Sequence, residues 1–459
     1  MEHFDVVILG GGAGAKLIWG SVPGRSVAVV EQSRVGGACP FVACVPSKAM
    51  LHTARVWQTA ADPQFTGLFA GRRSGETAYR IACERRDAIV HHRDDTLNAT
   101  KLTQAGATLI RGHGYLREPG VIEVDGRRIG YRDLVINTGS AVNYPAIRGL
   151  DPAKVWTSDD ALSTTEQPRS LLILGGGAVG CELAFLFATF GTAVSLVQRG
   201  PRLLSGEEPR AAQTVHRALN ALGVDVHTGV EVTNLTWIGD AAHATTSDDQ
   251  NVSAERVVVA TGRVPRSGGL GLDNLGLDVI AGQAVATDER CRVVGASHVW
   301  AIGDVTGVAA FTHTSHYQGR VVAANLRGEP VAASYTSIPR AVYVEPTLAA
   351  VGHTVASARA AGIEPRVATA EMSEAVRSVT GGAPHGWLML LADPVANTVL
   401  GATAMGRAAE EWMSVVSLAI RAQIPIDVLT DVVHPFPSFG ELLEGPLWEL
   451  ATKRAGAAI

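Results

Sequence analysis

Short, uninterrupted apolar runs alternate with glycine turns and amphipathic stretches through the first two-thirds of the chain. Val6-Val7-Ile8-Leu9 and Leu171-Leu172-Ile173-Leu174 are fully apolar. Runs of this length and composition suit strands buried on both faces of a parallel sheet. Val6 to Glu31 reads as strand, glycine turn, helix and strand, and Leu171 to Arg199 repeats the same unit. A repeat distance of about 165 residues is too long for a solenoid and fits duplicated domains. Between the copies, residues 75–105 carry a polar, charge-mixed helical pattern, and Arg127 to Ser140 returns to strand. From about Ser337 the pattern changes to alternating strands followed by helices, a separate α+β domain. The predicted fold is α/β, with two Rossmann-like dinucleotide-binding domains and a C-terminal α+β domain. Boundaries fall at 1–150, 151–268, 269–335 and 336–459, the third segment crossing back to the first domain through Gly268-Gly269-Leu270-Gly271.

Composition narrows the classes. The chain has 459 residues, 46% hydrophobic and 18% charged, which excludes disorder. A net charge of −5 argues against a nucleic-acid partner. Ser170 to Val197 is nearly all apolar, but Glu182 and a glycine cluster interrupt it, so no membrane span is expected. Asp5 to Leu9 is already a strand, with no targeting segment before it, and a cytoplasmic location is expected. Five cysteines are too few for a disulfide-stapled secreted scaffold. Glycine is in excess, 50 residues, and two clusters of it carry chemistry.

The first cluster is Gly10-x-Gly12-x-x-Ala15, between a strand and a helix. The first glycine makes the turn, the second lets backbone approach a pyrophosphate, and the small third residue lets helix pack on strand. Glu31 ends the next strand, where an acid binds ribose hydroxyls. The second cluster is Gly175-x-Gly177-x-x-Gly180. Gln198 replaces the acid there, with Arg199 and Arg202 close behind. Loss of the acid beside arginine is the pattern that accommodates a 2′-phosphate, so NADPH is expected over NADH. The competing reading leaves both arginines as solvated surface residues. Two dinucleotide sites imply one flavin and one nicotinamide.

Gly36-Gly37-Ala38-Cys39-Pro40-Phe41-Val42-Ala43-Cys44-Val45-Pro46-Ser47-Lys48 follows the first unit. Two cysteines at this spacing can form a strained, reducible disulfide on a distorted first helical turn. Metal binding is the rival reading. Cys83, Cys181 and Cys291 are unpaired in sequence and read as buried apolar residues.

With these motifs in order, the chain resembles the FAD-dependent pyridine nucleotide–disulfide oxidoreductases over essentially its whole length. That family includes dihydrolipoamide dehydrogenase, glutathione reductase, mycothione reductase and mercuric reductase. Thr138-Gly139 and Ala260-Thr261-Gly262-Arg263-Val264-Pro265 resemble its two ATG-like turns. Gly303-Asp304 resembles its second flavin motif, and Ile338 to Gly352 with Asp393 to Ala402 its dimerisation domain. The resemblance implies a homodimeric enzyme that passes electrons from NADPH through FAD to a Cys39–Cys44 disulfide, and on to a small disulfide or other acceptor. It assigns Cys44 as the flavin-facing thiolate and Cys39 as the interchange thiol. Lys48 and Glu182 match a family ion pair near the flavin. Ala178 stands where some members carry a tyrosine over the nicotinamide pocket.

The C-terminal segment departs from the family pattern His-Pro-Thr-x-x-Glu, in which the partner subunit donates an acid–base histidine. Here it reads His434-Pro435-Phe436-Pro437-Ser438-Phe439-Gly440-Glu441. Keeping Pro437-Ser438 and Glu441 in register puts Phe436 at the histidine position. In the alternative, His434 reaches the site from a shifted loop. Phenylalanine there is similar to the 2-ketopropyl-coenzyme M oxidoreductase/carboxylase, though this chain keeps Ser47-Lys48 and Glu441. The remaining alternatives are reduction of quinones or metal ions, and a redox-sensing flavoprotein that turns over poorly. Mercuric reductase is disfavoured, because no cysteine follows Cys291.

Overall fold

In the computed structural model, which describes residues 1–65, 74–382 and 385–455, the apolar runs form the strands their pattern predicts. Two compact units result. The first comprises residues 1–49, 83–144 and 262–334, and the second residues 50–82, 145–261 and 335–459.

The first unit is built on a seven-stranded sheet. Val27–Glu31 pairs in parallel with Glu2–Leu9, which pairs in parallel with Arg127–Ile136. Thr108–Arg111 extends one edge. On its other edge, Arg127–Ile136 takes Val121–Val124 antiparallel and then Val299–Ala301 parallel. Val299–Ala301 therefore carries Gly303-Asp304 back to the first domain, as the resemblance implies. Val6, Ile8 and Val29 face one core layer with Ile18 and Val322, while Val7, Leu9 and Val30 face the other. Burying each such side chain contributes roughly 1.5–3 kcal/mol, so the sheet is fixed from both faces.

The second unit repeats the motif. Ser170–Leu174 pairs in parallel with Ala193–Gln198 and with Arg256–Val259. Asp225–Thr228 closes the other edge. The helix Ala178–Thr189 is buried on nearly every side from Gly180 to Phe187, which explains the apolar run without a membrane. Among the described residues no helix is long and apolar enough to cross a membrane. The same unit holds a five-stranded antiparallel sheet in the order 340–342, 348–352, 399–405, 387–392, 366–371. Met372, Leu390, Ala404, Ile426 and Leu450 fill the core between this sheet and the helices after it.

Candidate active site

The two glycine turns are built alike. Gly10 sits at φ 97°, and a side chain there would meet Asn137 O at 2.4 Å. Glu31 reaches back and accepts the Gly11 N–H at 2.8 Å, holding the turn shut. Its other oxygen accepts the Ser33 N–H at 2.6 Å. Gly37, at φ 70°, lies against Gly12, with a built Cβ only 3.0 Å from the Gly12 Cα. The backbone is thus kept bare where a pyrophosphate must approach. In the second turn Gly175 sits at φ 109°, and Gln198 Oε1 accepts the Gly176 N–H at 2.8 Å. Gln198 keeps the turn-closing bond of Glu31 but offers no negative charge to a ribose.

Around the second turn the space is open where a ligand is expected. A Cβ on Gly177 would touch nothing within 4 Å, whereas one on Gly180 would meet Gly175 O at 1.9 Å. Ala178 and Val179 begin the twelve-residue helix as exposed residues. Its first N–H groups and the positive end of its dipole suit a pyrophosphate. The two arginines part company here. Arg202 Nη2 donates to Ser205 O at 2.7 Å and to Glu207 O at 3.3 Å, so Arg202 shapes its own loop. Arg199 is exposed and makes no ion pair among the described residues. Of the two arginines, Arg199 is the one left in solvent.

Asn137, Ser140 and Gln318, remote in sequence and not singled out by motif, lie around the first turn with Thr138 of the ATG-like turn. Asn137 Nδ2 donates to Gly10 O at 2.9 Å. Ser140 Oγ donates to Asp304 Oδ2 at 2.5 Å and accepts from Arg263 Nε at 2.8 Å. Thr138 Oγ1 donates to Arg266 O at 2.7 Å. Fully buried Gln318 accepts the Gly303 N–H at 2.7 Å, fixing the turn that carries Asp304. Gly139 and Gly262 both have positive φ, as their ATG-like turns require.

Cys39 lies in the short helix Ala38–Val42, and Cys44 begins the long helix Cys44–Ala61. The distortion expected between them is at Ala43, with φ −131° and ψ −102°. Pro46 sits in the first turn of the long helix, where its missing N–H costs nothing. Both cysteines are half-buried thiols. Thr312 Oγ1 is 3.3 Å from Cys44 Sγ, a partner 268 residues away that the motif does not reveal. The Cys39 thiol is held far above its ordinary pKa, first by its hydrogen bond to Cys44, then by burial and by the charge of Cys44. Lys16 and Thr312 oppose this shift more weakly. Cys44 begins a helix, whose N-terminus suits a thiolate. Lys48 is one turn along the same helix face. Buried Glu182 accepts the Tyr343 N–H at 3.0 Å. Cys83, Cys181 and Cys291 are buried, and burial pushes the Cys181 thiol up and out of reactivity.

In the C-terminal segment, His434 and Phe436 face opposite ways. His434 lines a small apolar cavity with Leu390, Val399, Val416 and Leu443 of its own domain. Phe436 is 74% exposed. Glu441 Oε1 and Ser438 Oγ are buried and have no hydrogen-bond partner among the described residues.

The chain matches the pyridine nucleotide-disulphide oxidoreductase family over residues 4–319, and its dimerisation domain over 338–445. It belongs to that family. Family members bind FAD and a pyridine nucleotide and act on disulfides or related substrates through a redox-active disulfide, so the chain is a flavin-dependent oxidoreductase. A mercuric reductase of Streptomyces lividans is 32% identical, covering 96% of this chain and 95% of its own. A dihydrolipoyl dehydrogenase of Chlorobaculum tepidum is 30% identical with the same coverage. The Cu(II) complex of the HOCl-induced flavoprotein disulfide reductase RclA from Escherichia coli superposes with a TM-score of 0.86. It is 26% identical and covers 98% of this chain and all of that one.

The first turn fits FAD: its bare glycines, Glu31 and Asp304 would hold the pyrophosphate, ribose and ribitol. FAD supplies the two-electron link between the nicotinamide and the thiols. This chain's own residues hold the turns shut and place Cys39 and Cys44 on either side of the bend at Ala43.

Proposed function

We propose that this oxidoreductase uses NADPH to reduce, through Cys39 and Cys44, an acceptor that needs no proton from the partner subunit. A metal ion such as Cu(II) is the class that fits best. The observation that carries this reading is the outward-facing Phe436, with His434 turned into its own domain. A disulfide acceptor releases a thiolate that must be protonated, which is the work of the family histidine. A metal ion takes electrons alone. The names of two relatives point the same way, one a mercuric reductase and one crystallised with Cu(II). Among the described residues no group of three or more His, Cys, Asp or Glu could hold a resident metal. The ion is accordingly substrate.

The balance is simple. NADPH gives up a hydride and becomes NADP⁺. The Cys39–Cys44 bond opens to a thiolate on Cys44 and a thiol on Cys39. Two Cu(II) ions each take one electron, the sulfur–sulfur bond re-forms, and the Cys39 proton is released. The protein works as a homodimer in this reading, because the dimerisation domain presents Phe436 and Glu441 to a second subunit. With Phe436 covering the thiols, protons are scarce and disulfides are poor substrates.

The test is steady-state NADPH oxidation with Cu(II), quinones and small disulfides. Cu(II) is expected to give turnover at least tenfold above any disulfide. A disulfide that outruns every metal ion would overturn the reading. Phe436→His is expected to raise turnover with small disulfides by about tenfold or more, the range of positioned acid–base catalysis. No gain, together with a large loss in His434→Ala, would show His434 to be the working base. Arg199→Ala is expected to raise KM for NADPH about tenfold, as loss of one charge-assisted contact of ~1.4 kcal/mol or more does. KM for NADH should change less than twofold, and equal effects on both nucleotides would remove Arg199 from phosphate recognition.

A further inference from the structure

Gln198 ends the strand Ala193–Gln198, Arg199 follows it, and the loop after them folds back over the nucleotide turn. Gly229 N–H holds the near end, donating to Gln198 O at 3.0 Å and Gly200 O at 2.8 Å. Beyond it, the Leu204 N–H donates to Gly176 O at 2.8 Å, and the Glu207 N–H to Leu204 O at 2.9 Å. The far end is held by the dimerisation domain. Arg340 Nε donates to Glu207 Oε1 at 2.7 Å and Nη2 to Glu207 Oε2 at 3.0 Å. Arg340 Nη1 also reaches Gly352 O at 3.4 Å, tying the fork to the adjacent strand. The side chains of this pair are only 28% and 12% exposed. Buried Glu208, the next residue, accepts the Val355 N–H at 2.6 Å. Two successive carboxylates of the nucleotide loop are thus gripped by a strand and a helix of the dimerisation domain.

A two-point guanidinium–carboxylate contact fixes orientation as well as distance, and one shielded from water keeps more of its strength than a solvated pair. Arg210–Glu371 of the same unit lies on its surface, with both side chains over 40% exposed. Arg340–Glu207 is different in both geometry and burial, and it restrains the arc that starts at Arg199.

We propose that Arg340 is a positioning residue for the 2′-phosphate end of NADPH, acting through Glu207 and the 200–207 loop. The proposal rests on the reading of Arg199 as the phosphate cation. NADH has no group there, so its binding should not depend on Arg340. Because Arg340 belongs to the dimerisation domain, discrimination between the two nucleotides is set partly outside the nucleotide-binding sheet.

The experiment is a nucleotide comparison on the flavin-loaded dimer. Arg340→Gln and Glu207→Gln are each expected to raise KM for NADPH about five- to tenfold, the scale of a small misplacement of a binding group. KM for NADH should move less than twofold, and kcat at saturating NADPH less than twofold. Arg340→Lys, which keeps the charge without the fork, should fall between. Exchanging the pair, Arg340→Glu with Glu207→Arg, should recover most of the loss. A purely structural role would instead raise both KM values together, and that result overturns the proposal. An Arg199→Ala effect on NADPH with no effect from Arg340→Gln defeats Arg340 alone. No effect from either defeats the phosphate reading and the proposal with it.

Discussion

Cys44→Ser is expected to lower acceptor reduction at least ~1,000-fold, a loss of ~4 kcal/mol in transition-state terms. The relay needs two sulfurs, since one thiol can neither form nor re-form the bond that stores the electron pair. The size of the effect follows from this chemistry and not from packing: serine fits the space and keeps the helix start. Reduction of the bound flavin by NADPH should survive, because it precedes the thiols. Rapid-mixing absorbance would separate the steps, with flavin bleaching retained and acceptor turnover lost. Turnover within tenfold of wild type would remove the dithiol from the electron path.

The same variant tests the charge assignment. Cys39 is held above its ordinary pKa chiefly by the hydrogen bond to Cys44, with burial and the charge of Cys44 adding to it. In the reduced wild type, the reactive Cys39 thiolate should therefore form only at alkaline pH. Removing the Cys44 sulfur removes the first and third of these causes, leaving burial against the opposing pull of Lys16 and Thr312. The pH midpoint for alkylation of Cys39 by iodoacetamide should shift downward in Cys44→Ser. An unchanged or higher midpoint would place the first charge of the dithiol on Cys39 instead.

Much of this site was legible because its chemistry is local. A glycine turn flanked by buried strands, or two cysteines five positions apart, is written in one stretch of chain. The same holds for fold class, which follows from apolar runs of fixed length. What was not legible depends on where the chain returns. Thr312 reaches Cys44, Ser140 reaches Asp304 and Gln318 reaches Gly303 across separations that carry no periodic signal. Arg199 and Arg202 look equivalent in sequence, and only the fold shows Arg202 bonded to the carbonyls of Ser205 and Glu207. His434 and Phe436 differ in a similar way. Both lie in a Pro-rich segment whose spacing allows either to occupy the family histidine position. In the structure His434 is partly buried beside an apolar cavity, whereas Phe436 is exposed.

Gly180→Ala should be the most damaging single substitution in the nucleotide-binding half. Its Cβ would lie 1.9 Å from Gly175 O and 3.0 Å from Gly175 C. Both are backbone atoms of the turn, so no rotamer change relieves the contact. The helix Ala178–Thr189 must lift from the strand Ser170–Leu174, or the Gly175 turn must open. Either movement displaces the N–H groups that face the pyrophosphate. The first copy shows the contrast: its third position is Ala15, fully buried yet accommodated. There the helix is crowded at Gly14 instead, where an added Cβ would meet Ser315 Oγ at 2.6 Å and Ser315 O at 2.7 Å. The two turns share a tight first glycine, Gly10 and Gly175, and differ in which helix residue is crowded. Helix displacement of about 1 Å costs on the order of 100-fold in a positioned site. KM for NADPH is accordingly expected to rise ~100-fold or more in Gly180→Ala, with NADH affected equally because the pyrophosphate is common to both. FAD content should stay at wild-type level, since the flavin turn belongs to the other unit. Flavin absorbance per chain and nucleotide titration measure these two outcomes separately. Nucleotide affinity within threefold of wild type would mean that the turn yields without loss, and that the backbone contact at Gly180 does not govern binding.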